Sequence, residues 1–120
     1  MQLLATAFLA FWFFAGSTPA AEVYTGQISD TQCALNVHST NSSHDDLIKT
    51  RSTYGDTPET CTRACVKSGG KYVLLDVASK KVYRLDNQTE AADFAGKEVR
   101  IRGVYDKDTK MIHVLEIKAK

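Results

Sequence analysis

Every charged residue of this 120-residue chain, 15 basic and 14 acidic, lies at Glu22 or beyond it. Residues 3–16 are almost wholly apolar, and Ser17, Thr18, Pro19 and Ala20 then interrupt the run with small residues. An uncharged apolar stretch followed by a small-residue region has the form of a secretory signal. The run is short for a bilayer span, although a retained anchor is the alternative. The expectation is a signal peptide over residues 1–20 and a single domain over residues 21–120. Its destination would be secreted or periplasmic, with no integral membrane domain after cleavage.

A domain of that size must offset roughly 1–2 kcal/mol of backbone ordering per residue, so its core has little to spare. The formal charge of +1 removes the electrostatic case for nucleic acid or an anionic membrane. Three cysteines in an exported chain allow one disulfide with one thiol left over, or a metal site.

Alternation of side-chain type marks the strands. Residues 23–28 form a weak first candidate, and Ser29 with Asp30 reads as the turn that ends it. Residues 72–77 and 82–85 form the clearest hairpin pair, joined by a polar linker without Asn-Gly. In 98–105, Val99 and Ile101 alternate with Arg100 and Arg102, a half-buried pattern. In 111–117, His113, Leu115 and Ile117 oppose Ile112, Val114 and Glu116, so both faces carry apolar residues.

Helices are short and capped. Asp56 three residues before Glu59, with Pro58 in the first turn, predicts a helix through Cys61 and Cys65 to Lys67, ended by Gly69-Gly70. Asn87 with Glu90 predicts a second over 88–95. The stretch 31–70 holds a polar loop at 39–43 and at most a short helix at 45–51. It reads as an irregular, partly helical excursion from one fold. The order predicts a mainly β domain with short helices: a small five-stranded barrel of the oligonucleotide/oligosaccharide-binding (OB) type. The Cys-containing excursion falls between strands 1 and 2. An open antiparallel sheet with helices on one face fits the same order.

Several segments resemble a known family. They are Gly-Gln-Ile-Ser-Asp-Thr-Gln-Cys at 26–33, His38, Cys-Thr-Arg-Ala-Cys-Val-Lys-Ser-Gly-Gly-Lys-Tyr at 61–72, Val-Tyr-Arg-Leu at 82–85, and Phe-Ala-Gly-Lys-Glu-Val-Arg-Ile-Arg-Gly at 94–103. Together they are similar to the exported bacterial family catalogued as domain of unknown function 5818. The resemblance implies a secreted or periplasmic domain with no established activity, and it supplies no catalytic roles.

Cys61 and Cys65, four apart, share one face of a helix, and Cys33 follows the first strand. A disulfide from Cys33 to Cys61 or Cys65 would tie the excursion to the barrel. Closing a loop of about 30 residues is worth roughly 3–4 kcal/mol in the chain-entropy model. The alternative uses Cys33, Cys61 and Cys65 with His38 or His44 as ligands for zinc or cuprous copper, or the thiols for redox exchange. Beyond that alternative no cofactor is expected.

Tyr72, Tyr83 and Tyr105 fall on strands, and Arg84, Arg100 and Arg102 supply positive heads, so these six form a candidate binding face. No serine nucleophile elbow, zinc-protease signature or phosphate loop is present. The functional expectation is a non-enzymatic domain that binds a small ligand or an envelope partner and is stabilised by a disulfide.

Overall fold

The computed structural model describes residue 13, residues 15–32, residue 34 and residues 57–120. These contain β1 (Glu22–Asp30), α1 (Pro58–Lys67), β2 (Tyr72–Asp76), β3 (Lys81–Leu85), α2 (Gln88–Ala92), β4 (Glu98–Asp106) and β5 (Met111–Ala119). The described residues are mainly β, with five strands in one sheet and two short helices. Among the described residues no helix is long and apolar enough to cross a membrane. The short helix expected at 45–51 lies outside the described residues.

Every strand has two neighbours. β1 pairs antiparallel with β2 and with β4, β2 with β3, and β4 with β5, while a parallel contact joins β3 to β5. The order β1–β2–β3–β5–β4 therefore returns to β1 and the sheet closes on itself. Ile28, Leu74, Leu85, Val99, Ile101, Ile112 and Ile117 fill its interior, with Ala91 and Ala95 from α2 and the turn after it.

β1 runs two residues further than the pattern suggested. Ser29 pairs with Val73 and Asp30 with Tyr72, and both side chains are buried, so the pair belongs to the strand and not to a turn. Tyr24, Gly26, Ile28 and Asp30 face one way by the two-residue period of a strand. The Asp30 carboxylate accepts the Gln32 N–H at 2.9 Å just beyond the strand.

The ambiguous alternation of β5 has a structural cause. The register passes from Arg102–Glu116 to Gly103–Val114, so Leu115 has no opposite residue. This bulge switches the parity. Ile112, Val114 and Ile117 are all buried, and Leu115 is 44% exposed.

The two hairpin turns share one construction. In the first, the Asp76 carboxylate accepts the N–H groups of Ala78 and Ser79; in the second, Asp106 accepts those of Asp108 and Thr109. Each turn then places a lysine in the left-handed region, Lys80 at φ 58° and Lys110 at φ 54°. The carboxylate substitutes for the missing Asn-Gly signal.

α1 is capped by Thr57, whose hydroxyl accepts the Thr60 N–H while the Thr60 hydroxyl accepts the Thr57 N–H. Asp56, expected in that role, lies outside the described residues. At the other end Gly69 N–H bonds to Val66 and Gly70 N–H to Cys65, which satisfies two otherwise orphaned carbonyls. α2 starts at Asn87 as expected, its side chain accepting the Glu90 N–H, but ends at Ala92 rather than at 95.

α1 packs on β1 from outside the closed sheet. The outward positions Ser29, Val73 and Leu75 are buried, as are Cys61, Thr62 and Cys65 of α1. A second buried patch therefore lies across β1 and β2, on the face opposite the main core. The tight approach at Gly96, where a Cβ would come within 2.4 Å of the Glu59 N, seats the start of α1 against the loop entering β4.

Candidate functional site

Cys61 and Cys65 lie one turn apart on α1, both 1% exposed. They occupy the buried side of the helix, toward the outer surface of β1 and β2. Cys33 and His38, the other members of the expected cluster, lie outside the described residues, as does His44. Among the described residues no three His, Cys, Asp or Glu side chains stand together as a metal-binding group.

The six residues of the expected binding face divide into three places. Tyr72 is 8% exposed and belongs to the core, and it also lines the groove that holds Arg84. Tyr83 and Tyr105 are half-buried and meet edge to face, ring centres 5.7 Å apart at 90°. Tyr24 joins them, 5.3 Å from Tyr83 and tilted by 57°. Its inward alternation with Gly26 and Ile28 was the available signal for it. The three rings pack against the core near the start of β1, the start of β3 and the end of β4. That is the end of the sheet carrying both hairpin turns.

Burial holds the Tyr24 phenol above its ordinary range, and the Glu22 carboxylate, which accepts its O–H at 3.3 Å, adds to the shift. Arg100 and Arg102 stand on the outward positions of β4, away from the inward-facing Tyr105. Arg102 lies 4.0 Å from Glu116, an exposed pair. Arg84 is outward on β3, and its guanidinium donates to the Thr109 carbonyl at 3.5 Å.

Arg84 instead belongs to a groove of about 370 Å³ that also takes in Thr31, Lys71, Asp86, Gln88 and Met111. Its floor is fixed by two side chains. The Gln88 amide accepts the Tyr72 N–H at 2.8 Å and donates to the carbonyls of Tyr72 and Leu85 at 2.9 and 3.0 Å, as a neighbouring strand would. Asp86 accepts the Val114 N–H at 2.8 Å and pairs with His113. Burial alone would raise the Asp86 carboxyl. The bonds from Val114, His113 and Asn87 outweigh it and hold the group below the usual carboxylate range.

Lys71 and Arg84 thus flank a groove whose one carboxylate, Asp86, is already committed to β5. Such a place can address a small polar ligand with an acidic group. His113 is outward and exposed, and among the described residues no hydroxyl or thiol hydrogen-bonds to it. A second cleft, of about 530 Å³, lies beside the tyrosines and is lined by Val23, Tyr24, Thr25, Asp76, Val77 and Tyr83 among others. Sequence reasoning found neither cavity in full, because each joins residues from three or more separate segments.

No curated protein and no solved structure matches the chain. Residues 65–120, from Cys65 through β5, match a family described as a protein of unknown function (DUF5818), and over that stretch the chain resembles this family.

Proposed function

We propose that this chain is an exported, non-enzymatic binding domain built on an OB-type barrel. It takes a small acidic ligand, or an acidic group of an envelope partner, in the groove between Lys71 and Arg84. The observation that carries this reading is the groove itself: two cationic side chains over a floor fixed by Gln88 and Asp86. The parallel β3–β5 contact and the helix between β3 and β4 support the barrel type. The uncharged apolar start supports export. A disulfide from Cys33 to Cys61 or Cys65 would secure α1 against the outer patch.

The test is titration of the isotope-labelled protein with citrate, inorganic phosphate, glucuronate and uncharged glucose. Saturable amide shifts at Lys71, Arg84 and Asp86 with an anionic probe, lost in Arg84→Ala, are expected. Shifts that survive both Lys71→Ala and Arg84→Ala would remove the groove from consideration.

The two buried cysteines one turn apart on α1 favour one second reading, a soft-metal or thiol-redox site completed by Cys33 and His38. Intact mass after thiol alkylation under non-reducing conditions separates the two. One alkylated cysteine supports the disulfide; three, with stoichiometric zinc or copper in native mass measurement, support the metal.

A further inference from the structure

Among the described residues, Asp86 is the one carboxylate that lines the Lys71–Arg84 groove, and its charge opposes the acidic ligand that the two cations attract. The parallel register brings it to His113. Arg84 stands beside Met111 and Leu85 beside Ile112, so the next step along both strands sets Asp86 against His113. One carboxylate oxygen accepts the Val114 N–H at 2.8 Å, and the other meets Nδ1 of His113. Asp86 is ionised at neutral pH, since its carboxyl lies below the usual range, and an ionised carboxylate only accepts. Nδ1 therefore carries a proton in both charge states of the ring, and the second proton adds at Nε2. The His113 side chain is 67% exposed, so that proton comes from solvent.

The charged groups that face His113 are held by other partners. On the outward side of β4, Val104 stands opposite it, with Arg102 and Asp106 two positions away along the strand. Arg102 pairs with Glu116, and Asp106 is bound by the turn N–H groups of Asp108 and Thr109. On β3, Arg84 donates to the Thr109 carbonyl, and on α2 Glu90 is turned to the Ile117 N–H. Ordinary carboxylate, ammonium and guanidinium groups keep their charge between pH 5 and 8, and histidine is the side chain whose ordinary range falls there. The groove then has two states. With His113 neutral, Asp86 cancels one of the two cations. With His113 protonated, the imidazolium offsets Asp86, and Lys71 and Arg84 act unopposed.

We infer that His113 sets the pH at which the groove captures its acidic ligand: binding is tight while the imidazole is protonated and weakens once the ring is neutral. His113 acts through Asp86 and not on the ligand, so its role presupposes the ligand groove proposed above and specifies when that groove is filled. Both side chains are partly exposed, and solvent limits the change in affinity to about fivefold.

The test titrates the isotope-labelled full chain with sulfate, whose own charge is constant over this range, at pH 5.5 and pH 8 and at fixed ionic strength. Amide shifts at Lys71, Arg84 and Asp86 should saturate about fivefold more tightly at the lower pH. His113→Gln can still donate to Asp86 but never gains the charge, so it should bind at both pH values as weakly as the wild type does at pH 8. The linkage is reciprocal. Saturating sulfate should therefore raise the proton affinity of the wild-type His113 ring by the same factor, read from its imidazole proton shifts, and this arm needs no variant to fold. Equal wild-type affinity at the two pH values overturns the role of His113 while leaving the groove as the ligand site, and so does a His113→Gln protein that keeps the difference. The absence of a saturable shift at either pH removes the groove and the role of His113 together.

Discussion

Gln88 places both ends of its side-chain amide on main-chain groups of other elements, two on Tyr72 and one on Leu85. Truncation would leave a part-buried N–H and two carbonyls without that partner. Gln88→Ala should lower unfolding stability by about 2–3 kcal/mol, read as a fall in the urea midpoint at unchanged slope. Asp86 makes a second such link, and its effect depends on pH. Its folded-state carboxyl lies below the usual range, so its stabilisation is complete above the unfolded value of about 3.9 and is lost as pH falls through the folded value. Asp86→Ala should therefore cost about 1–2 kcal/mol at neutral pH, after allowance for partial exposure. The gap to wild type should close as denaturation curves are taken below pH 4. Neither role could be read from the sequence. Gln88 looked like an ordinary first-turn residue, and its partners are 16 positions away at Tyr72 and close by at Leu85.

At the level of elements, regular patterns were legible and interrupted ones were not. The capped helices and the alternation of β4 followed from local rules, because burial on one face and caps at the ends both act within a few residues. β5 resisted because its bulge at Leu115 mixes two parities in one strand. Ser29 and Asp30 looked like a turn because polar residues usually mark one; their burial depends on α1 and β2, which arrive later in the chain. Of the candidate site, Tyr72 and the cationic Arg84 were recognisable, but their companions Lys71, Asp86 and Gln88 gather only once the sheet closes. Gly103 ties the bulge to the rest of the sheet. A Cβ there would lie 2.5 Å from the His113 carbonyl oxygen and 2.6 Å from Ile112 Cγ2. Gly103→Ala should therefore cost about 1–3 kcal/mol. Calorimetry should show the fall in Tm, and Leu115→Ala, at an exposed position, should barely move it.

Across the whole molecule, two buried layers share β1 and β2: the enclosed core on one side and the α1 patch on the other. β1 is held by a four-pair ladder to β2 and a six-pair ladder to β4. β3 and β5, by contrast, meet through Arg84–Met111 and Leu85–Ile112 alone, with the Asp86 N–H reaching the Ile112 carbonyl at 3.2 Å. Such a seam is where thermal breathing will begin. If it parts, the ring relaxes to an open ribbon, β3–β2–β1–β4–β5, with its antiparallel ladders still intact. Amide hydrogen exchange should record two regimes. The Asp86 and Val114 protons should exchange through this limited opening, insensitive to low denaturant, while those of Val99 and Ile101, in the β1–β4 ladder, wait for global unfolding. Exchange of all four with the same denaturant dependence would mean that the ring opens only as a whole. A parted seam also frees the floor under Arg84, so ligand capture in the groove and the first-opening state of the sheet are thermodynamically linked: whatever occupies the groove should suppress exchange at Asp86 first.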